Sequence, residues 1–293
     1  MKNFLHKNLR PSTVRSYEKV LTLFLKMNPH ISTPDKLTVE DVIKWRNEVL
    51  KTAKPITWNT YLRHMRSFYN FAIDNEFISL NKNPFLKLSL REGKEKRKVL
   101  SDEQLQALDK LLSNDYLLPD IFHPRWFTVA LIKTFRYTGI RRSQLIQLRI
   151  CDIDLSKRII TIPSNINKNH NYHEIPISDK LYPDLEKLVL EMTRIGRKKQ
   201  DQLFNLNVIS RYTRFKGCDM TKDQVSYLFY VLSKLLGFKV STHRFRHTIA
   251  TQLMKNVDNL YNVKQLLGHS DLKVTLSYVE YNSEMIRNCV NSL

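Results

Sequence analysis

The sequence predicts a mainly α-helical protein of two domains, with a small β-sheet in the second. Three observations carry this reading. Apolar residues recur at three- and four-residue spacing along most of the chain, as they do on one face of a helix. Two short β-branched runs, RIITI at 158–162 and HEIPI at 173–177, flank a polar stretch in the pattern of a strand pair around a loop. Between the two helical regions, Asn83-Pro84 and the charge run LREGKEKRK at 90–98 give the chain almost nothing to bury. A chain of 293 residues also exceeds what one core encloses economically. The expected division is a helical domain over 1–93, a basic linker over 94–98 and a larger domain over 99–293.

Each element has its own signal. Ser12 and Thr13 are caps for a helix over 12–28, in which Val14, Tyr17, Val20, Leu21, Phe24 and Leu25 share a face. Thr38 with Asp41 resembles a capping box and opens a helix over about 39–51, ended near Pro55. Thr57 is the expected cap of a third helix carrying Trp58, Tyr61, Leu62, Met65, Phe68, Tyr69, Ala72 and Ile73 on its core side. The opposite side lines up Asn59, Arg63, Arg66 and Asn70, a basic and amide-bearing stripe suited to phosphates and base edges. The same pattern also fits an ordinary solvated face.

Beyond the linker, Ser101 with Gln104 opens a helix, and an apolar run through Trp126, Val129, Leu131, Ile132 and Phe135 ends at Thr138-Gly139. After the strand pair, Thr221 with Gln224 caps a helix ending at Gly237. Thr242 begins the next helix, and short helical pieces follow at 262–267 and 271–277.

Composition narrows the function. The 48 Lys and Arg against 28 Asp and Glu give a net charge of +20, and both halves share the excess. A folded chain with that surplus attracts a polyanion by counterion release, so nucleic acid is the leading partner and an acidic membrane surface the weaker one. Cys151, Cys218 and Cys289 are single and widely spaced, which argues against a disulfide framework or paired zinc ligands and fits a reducing cytoplasm. No stretch approaches 18 uncharged apolar residues and the N-terminus does not read as a secretion signal, so no membrane association is expected.

Two segments carry chemistry. TGIRRSQLIQL at 138–148 puts Arg141 just after a helix-ending glycine, and STHRFRHTIATQL at 241–253 puts His243 and Arg246 on one helical face. Two guanidinium groups and an imidazole converging in this way suit a phosphodiester.

In its motifs the chain resembles the tyrosine recombinases, or phage integrases, and among them the compact two-domain Xer-like integrases. The signatures T-G-x-R, H-x-x-R-H, L-G-H and a tyrosine nine residues later all occur here, in order. The resemblance implies a helical, SAM-like core-binding domain followed by the catalytic domain, closing on DNA as a C-shaped clamp. It assigns the phosphate clamp to Arg141 and Arg246, the acid/base role to His243, a phosphate hydrogen bond to His269 and the nucleophile to Tyr278. Lys168, between the strands, is the expected general acid for the leaving 5′-hydroxyl, with Lys157 as the alternative. No metal or cofactor is implied, because a 3′-phosphotyrosine conserves the energy of the broken phosphodiester.

Two features depart from the family pattern: Gln144 stands where a glutamate is usual, and the loop between the strands is longer than in compact relatives. His247 could instead pair with His243 as H-x-x-x-H metal ligands, and Tyr281 lies one turn beyond Tyr278. The resemblance further implies duplex DNA with inverted-repeat core sites, four protomers on that DNA, and a possible accessory DNA-bending protein. The tail SEMIRNCVNSL at 283–293 offers Met285, Ile286, Val290 and Leu293 at helical spacing for a neighbouring protomer. A type IB topoisomerase and a non-cutting DNA-binding regulator remain rival readings.

Overall fold

The computed structural model describes residues 9–93, 97–167, 172–210, 213–278 and 291. The chain divides into two compact units, Met1–Lys96 and Arg97–Leu293.

The first unit is built on three helices, α1 (Pro11–Met27), α2 (Val39–Leu50) and α3 (Pro55–Asp74). The Thr38–Asp41 capping box forms in both directions: Asp41 N donates to Thr38 Oγ1 at 3.2 Å and Thr38 N donates to Asp41 Oδ2 at 3.1 Å. Helix α3 starts before its expected cap. Pro55 occupies the first helical position, where its missing N–H costs nothing, and Thr57 lies inside the first turn. The core is aromatic, with Trp45 edge-on to Trp58, Phe24 and Phe85 at centroid distances of 5.1, 5.0 and 6.3 Å.

The segment after α3, which reads in sequence as breakers and linker, is strapped along that helix. Asn83 Nδ2 donates to Arg66 O at 2.9 Å and to Asn70 Oδ1 at 2.6 Å, and Phe85 fills the core. Further along, Trp58 Nε1 donates to Leu88 O at 2.9 Å.

The second unit holds α4 (Asp102–Ser113), α5 (Arg125–Thr138), α6 (Arg142–Leu145), α7 (Tyr182–Arg194), α8 (Lys222–Leu236), α9 (Thr242–Leu253), α10 (Leu260–Leu267) and α11 (Leu272–Leu276). Helix α5 is its axis. Phe127, Ala130, Leu131, Ile132, Thr134, Phe135 and Thr138 are all buried, and α7 and α9 pack against it. A helix apolar on nearly every side belongs in the centre of a core. Between α6 and α7 lies an antiparallel sheet in the order β1 (Ile153–Asp154), β2 (Ile159–Ile162), β3 (His173–Pro176). Ile160 pairs with Ile175 and Ile162 with His173, so alternate isoleucines face the core. The two-residue β1 is too short to leave a periodic signal.

Gly139 fixes how closely the site can assemble. It caps α5 in the left-handed conformation (φ 61°), and a Cβ there would lie 2.9 Å from Leu267 Cδ2 and 3.0 Å from Ile249 Cγ2. Only glycine allows α9, α10 and the end of α5 to meet at this point. No described helix is long and apolar enough to cross a membrane.

Candidate active site

Arg246 is the keystone of the site. It is 6% exposed, and it donates from Nη1 to Gly139 O at 2.8 Å and from Nη2 to Leu267 O at 2.6 Å. These carbonyls sit at the C-terminal ends of α5 and α10, where a cation offsets the helix dipoles. Arg141 approaches from the start of α6. Its backbone N donates to Gln144 Oε1 at 3.1 Å, and buried Gln144 in turn donates from Nε2 to Asn167 Oδ1 at 3.3 Å. The amide of Gln144 thus supports the Arg141 backbone where the family usually has a carboxylate.

The Arg141 guanidinium is less well satisfied. Nη2 reaches Gly268 O only at 3.5 Å, and Nη1 is buried with no hydrogen-bond partner. Burial lowers the pKa of both arginines, that of Arg246 to about 10 with the Arg141 charge adding to the effect. Two cations crowded together, with a donor left over, form a site that gains from an anion.

Tyr278 lies in the same pocket. It is 4% exposed and packs with Ala250, Met254, Val263 and Leu267. Its hydroxyl lies within hydrogen-bond distance of His247 Nδ1 at 3.1 Å, and its ring is parallel to that of His269, with centroids 6.1 Å apart and an interplanar angle of 6°. The Arg97 guanidinium covers the ring at 3.8 Å from its centroid and bonds the neighbouring Ser277 hydroxyl. A phenolate charge on Tyr278 would hold the protons of Arg141 and Arg246 more firmly, which puts the phenol oxygen within electrostatic reach of both.

The surrounding imidazoles are neutral. Burial, then Arg97, His243 and Arg246, pushes His247 down to about 4. Burial, then Arg246, Arg141 and Arg97, does the same to His269, whose Nδ1 meets the buried Thr275 hydroxyl at 2.9 Å. His243 is also lowered, by partial desolvation and then by Arg142, Arg246 and Arg141.

Arg141, Arg246, His269 and Tyr278 therefore share one pocket, with His243 at its margin. His243 is exposed and opens onto a cleft of about 570 Å³ with Arg142, Ser226, Tyr230 and Lys234. The imidazole touching the phenol is His247, for which the sequence suggests only a metal-ligand role. Lys168 and Tyr281 lie outside the described residues, as does the 283–293 tail except Asn291. Lys157, the alternative acid, is an exposed turn residue 3.8 Å from Asp154.

Two site residues were hidden in the sequence. Arg97 belongs to the charge run assigned to the linker, and nothing distinguishes it there from Lys96 or Lys98. His173, on β3, is buried, donates from Nε2 to Leu266 O at 3.1 Å, and has its pKa lowered by burial and then by Arg246 and Arg141.

The stripe on α3 is largely occupied by its own domain. Asn59 Nδ2 donates to Leu90 O at 2.8 Å while Leu90 N donates to Asn59 Oδ1 at 2.9 Å. Arg66 Nε donates to Phe85 O at 3.3 Å, and Asn70 Oδ1 accepts from Asn83. Arg63 is the exposed arginine of the stripe.

Two family models match most of the chain. The model of the phage integrase family matches residues 98–285, and that of the phage integrase N-terminal SAM-like domain matches residues 3–76. The chain belongs to the phage integrase family. A Pseudomonas aeruginosa protein named as a XerC-type tyrosine recombinase is 31% identical over 97% of this chain and 68% of its own length. A similarly named Pseudomonas syringae protein is 30% identical over 98% of this chain, which spans only 62% of that relative. Among solved structures, the Tn1549 transposon integrase in complex with a circular intermediate DNA superposes with a TM-score of 0.76, at 19% identity over 99% of this chain and 96% of that one. A lambda integrase fragment bound as a dimer to a core site gives 0.71, at 15% identity over 96% and 93%. At these identities the two structures establish the shared integrase fold.

Proposed function

We propose that this integrase-family chain is a site-specific recombinase that cuts and rejoins double-stranded DNA through a 3′-phosphotyrosine at Tyr278. The observation that carries the proposal is buried Arg246 with half-buried Arg141 beside Tyr278, and a buried Arg141 Nη1 that has no hydrogen-bond partner. A scissile phosphate seated there receives bidentate donors where attack builds charge on its nonbridging oxygens. His269 is stacked against Tyr278 and carries a neutral ring to the same pocket. By resemblance, Lys168 supplies the proton to the departing 5′ oxygen.

The net charge of +20 supports a duplex partner, and the proposal predicts steep weakening of binding between about 50 and 200 mM salt. Strand exchange takes four cleavages, and one Tyr278 per chain supplies one, so four protomers gather on two inverted-repeat sites. An accessory DNA-bending protein and a tail handed between protomers belong to the same reading.

The test is a nicked duplex carrying the chain's own recombination site, which traps the covalent product. The proposal expects an adduct whose modified peptide contains Tyr278, absent from the Tyr278→Phe variant although that variant still binds DNA. An adduct on Tyr281, or none with the unaltered chain, overturns it. Supercoil relaxation without partner exchange would transfer the chain to the topoisomerase reading.

A further inference from the structure

We infer that His247 is a catalytic residue of this site, the base that takes the Tyr278 proton as the phosphotyrosine forms. The inference rests on the cleavage reaction proposed above and adds to it the identity of the proton acceptor.

Three observations support it. The Tyr278 hydroxyl and His247 Nδ1 lie 3.1 Å apart, so an imidazole nitrogen is already within hydrogen-bond distance of the reacting oxygen. The other groups facing that oxygen, Arg141 and Arg246, are cations that only donate. The hydroxyl hydrogen is thus directed to His247, which fixes that ring as the Nε2–H tautomer. The remaining imidazoles are placed differently: the His269 ring runs parallel to the phenol ring with centroids 6.1 Å apart and Nδ1 on Thr275, and His243 opens onto the cleft beside Arg142.

The electrostatics explain how such a base is kept available and then strengthened. The charged and titratable groups around His247 are Arg97, His243, Arg246 and Tyr278. Burial and the cations among them keep the ring unprotonated at neutral pH. An incoming phosphodiester anion, paired with Arg141 and Arg246, cancels part of the cationic field and raises the basicity of His247 when substrate is present.

The step balances. The Tyr278 O–H bond breaks, its proton moves to His247 Nδ1, and the oxygen forms a bond to phosphorus as the bond to the 5′ oxygen breaks. That oxygen leaves with a proton from the general acid, Lys168 in the proposed function. Rejoining runs the steps backwards, with the His247 imidazolium returning its proton to the departing phenol.

The test measures single-turnover adduct formation on the nicked duplex with saturating DNA, comparing the full chain with His247→Ala and His247→Asn. Asparagine places an amide oxygen near the position of Nδ1, so it accepts the hydrogen bond but takes no proton. The inference expects both variants to bind DNA normally and to cleave about 10²- to 10⁴-fold more slowly. It also expects their rates to climb with pH, as hydroxide replaces the missing base, while the unaltered chain is flat above neutral pH. Recovery by His247→Asn to within a few-fold of the unaltered chain would reduce His247 to a positioning residue and overturn the inference. If neither variant folds, the unaltered chain decides: a rate that falls tenfold per pH unit on the acid side supports a titrating base, and a rate with no acid limb overturns it. Absence of any adduct with the unaltered chain is a different result, because it removes the proposed function itself.

Discussion

The polar faces of the two units make opposite use of similar side chains. Along α3, Asn59, Arg66 and Asn70 are spent on the chain itself, holding residues 83–90 against the helix. Around Tyr278, Arg141 keeps a buried Nη1 without a partner, and three imidazoles sit neutral among cations. Two other buried donors are unpaired among the described residues, but they differ in kind. Trp45 Nε1 is a neutral group within the aromatic cluster, and Arg197 Nε has Asp201 at 3.3 Å. A polar group satisfied by its own backbone stabilises the fold, whereas a buried cation left unsatisfied marks where a ligand is to come.

The comparison breaks most visibly at Arg246, which belongs to both categories. Arg246→Ala removes one arginine of the proposed phosphate clamp and strands the carbonyls of Gly139 and Leu267. Adduct formation should fall about 10²- to 10³-fold, and each stranded carbonyl should cost about 1–3 kcal/mol in denaturant unfolding. Unchanged stability would show that the two carbonyl bonds are incidental.

Acid provides a second handle. His247 and His269 are held near 4, below the ordinary imidazole value of about 6.5, so between those values the unfolded chain binds more protons than the folded one. Their contribution is fully present above about 6.5 and is lost as pH falls towards 4. The melting temperature should therefore hold from pH 8 to 7 and drop from 6.5 to 5. Duplex DNA, by bringing phosphate to the arginines, should soften that drop. A melting temperature that is level down to pH 5 would contradict the buried neutral imidazoles.

The elements were legible where local chemistry decides them. The capping boxes at Thr38, Ser101 and Thr221, and the left-handed glycines 139 and 237, form as their residue types dictate. The grouping of Arg141, Arg246, His269 and Tyr278 could be anticipated because each stands in a motif with fixed spacing. The fate of the α3 stripe was not readable, since it depends on Asn83, Phe85 and Leu90 returning to that helix from up to 31 residues away. Arg97 was lost in its charge run, and the role of His247 depends on a hydrogen bond spanning 31 residues of sequence. In each case the deciding contact is tertiary, and neither period nor propensity encodes it.

The smallest expected effect concerns Arg63, the exposed cation of the stripe. Arg63→Ala should weaken duplex binding only a few-fold, flatten its salt dependence by about one phosphate contact, and leave stability unchanged. Loss of site preference at unchanged affinity would assign Arg63 to base reading instead.

The most direct measurement sets Arg141→Ala beside Asn59→Ala and follows thermal melting and single-turnover adduct formation for both. The account predicts opposite signatures. Arg141→Ala should keep or raise the melting temperature while losing about 10²- to 10³-fold in adduct formation, because it deletes a half-buried cation whose Nη1 has no hydrogen-bond partner and which the proposed function assigns to the phosphate. Asn59→Ala should lose about 1–3 kcal/mol of stability, because it frees both backbone groups of Leu90, yet cleave normally once bound to DNA. A destabilised Arg141→Ala that still cleaves, or an Asn59→Ala that folds normally and fails in chemistry, would contradict the division between a face spent on the fold and a pocket kept for the phosphate.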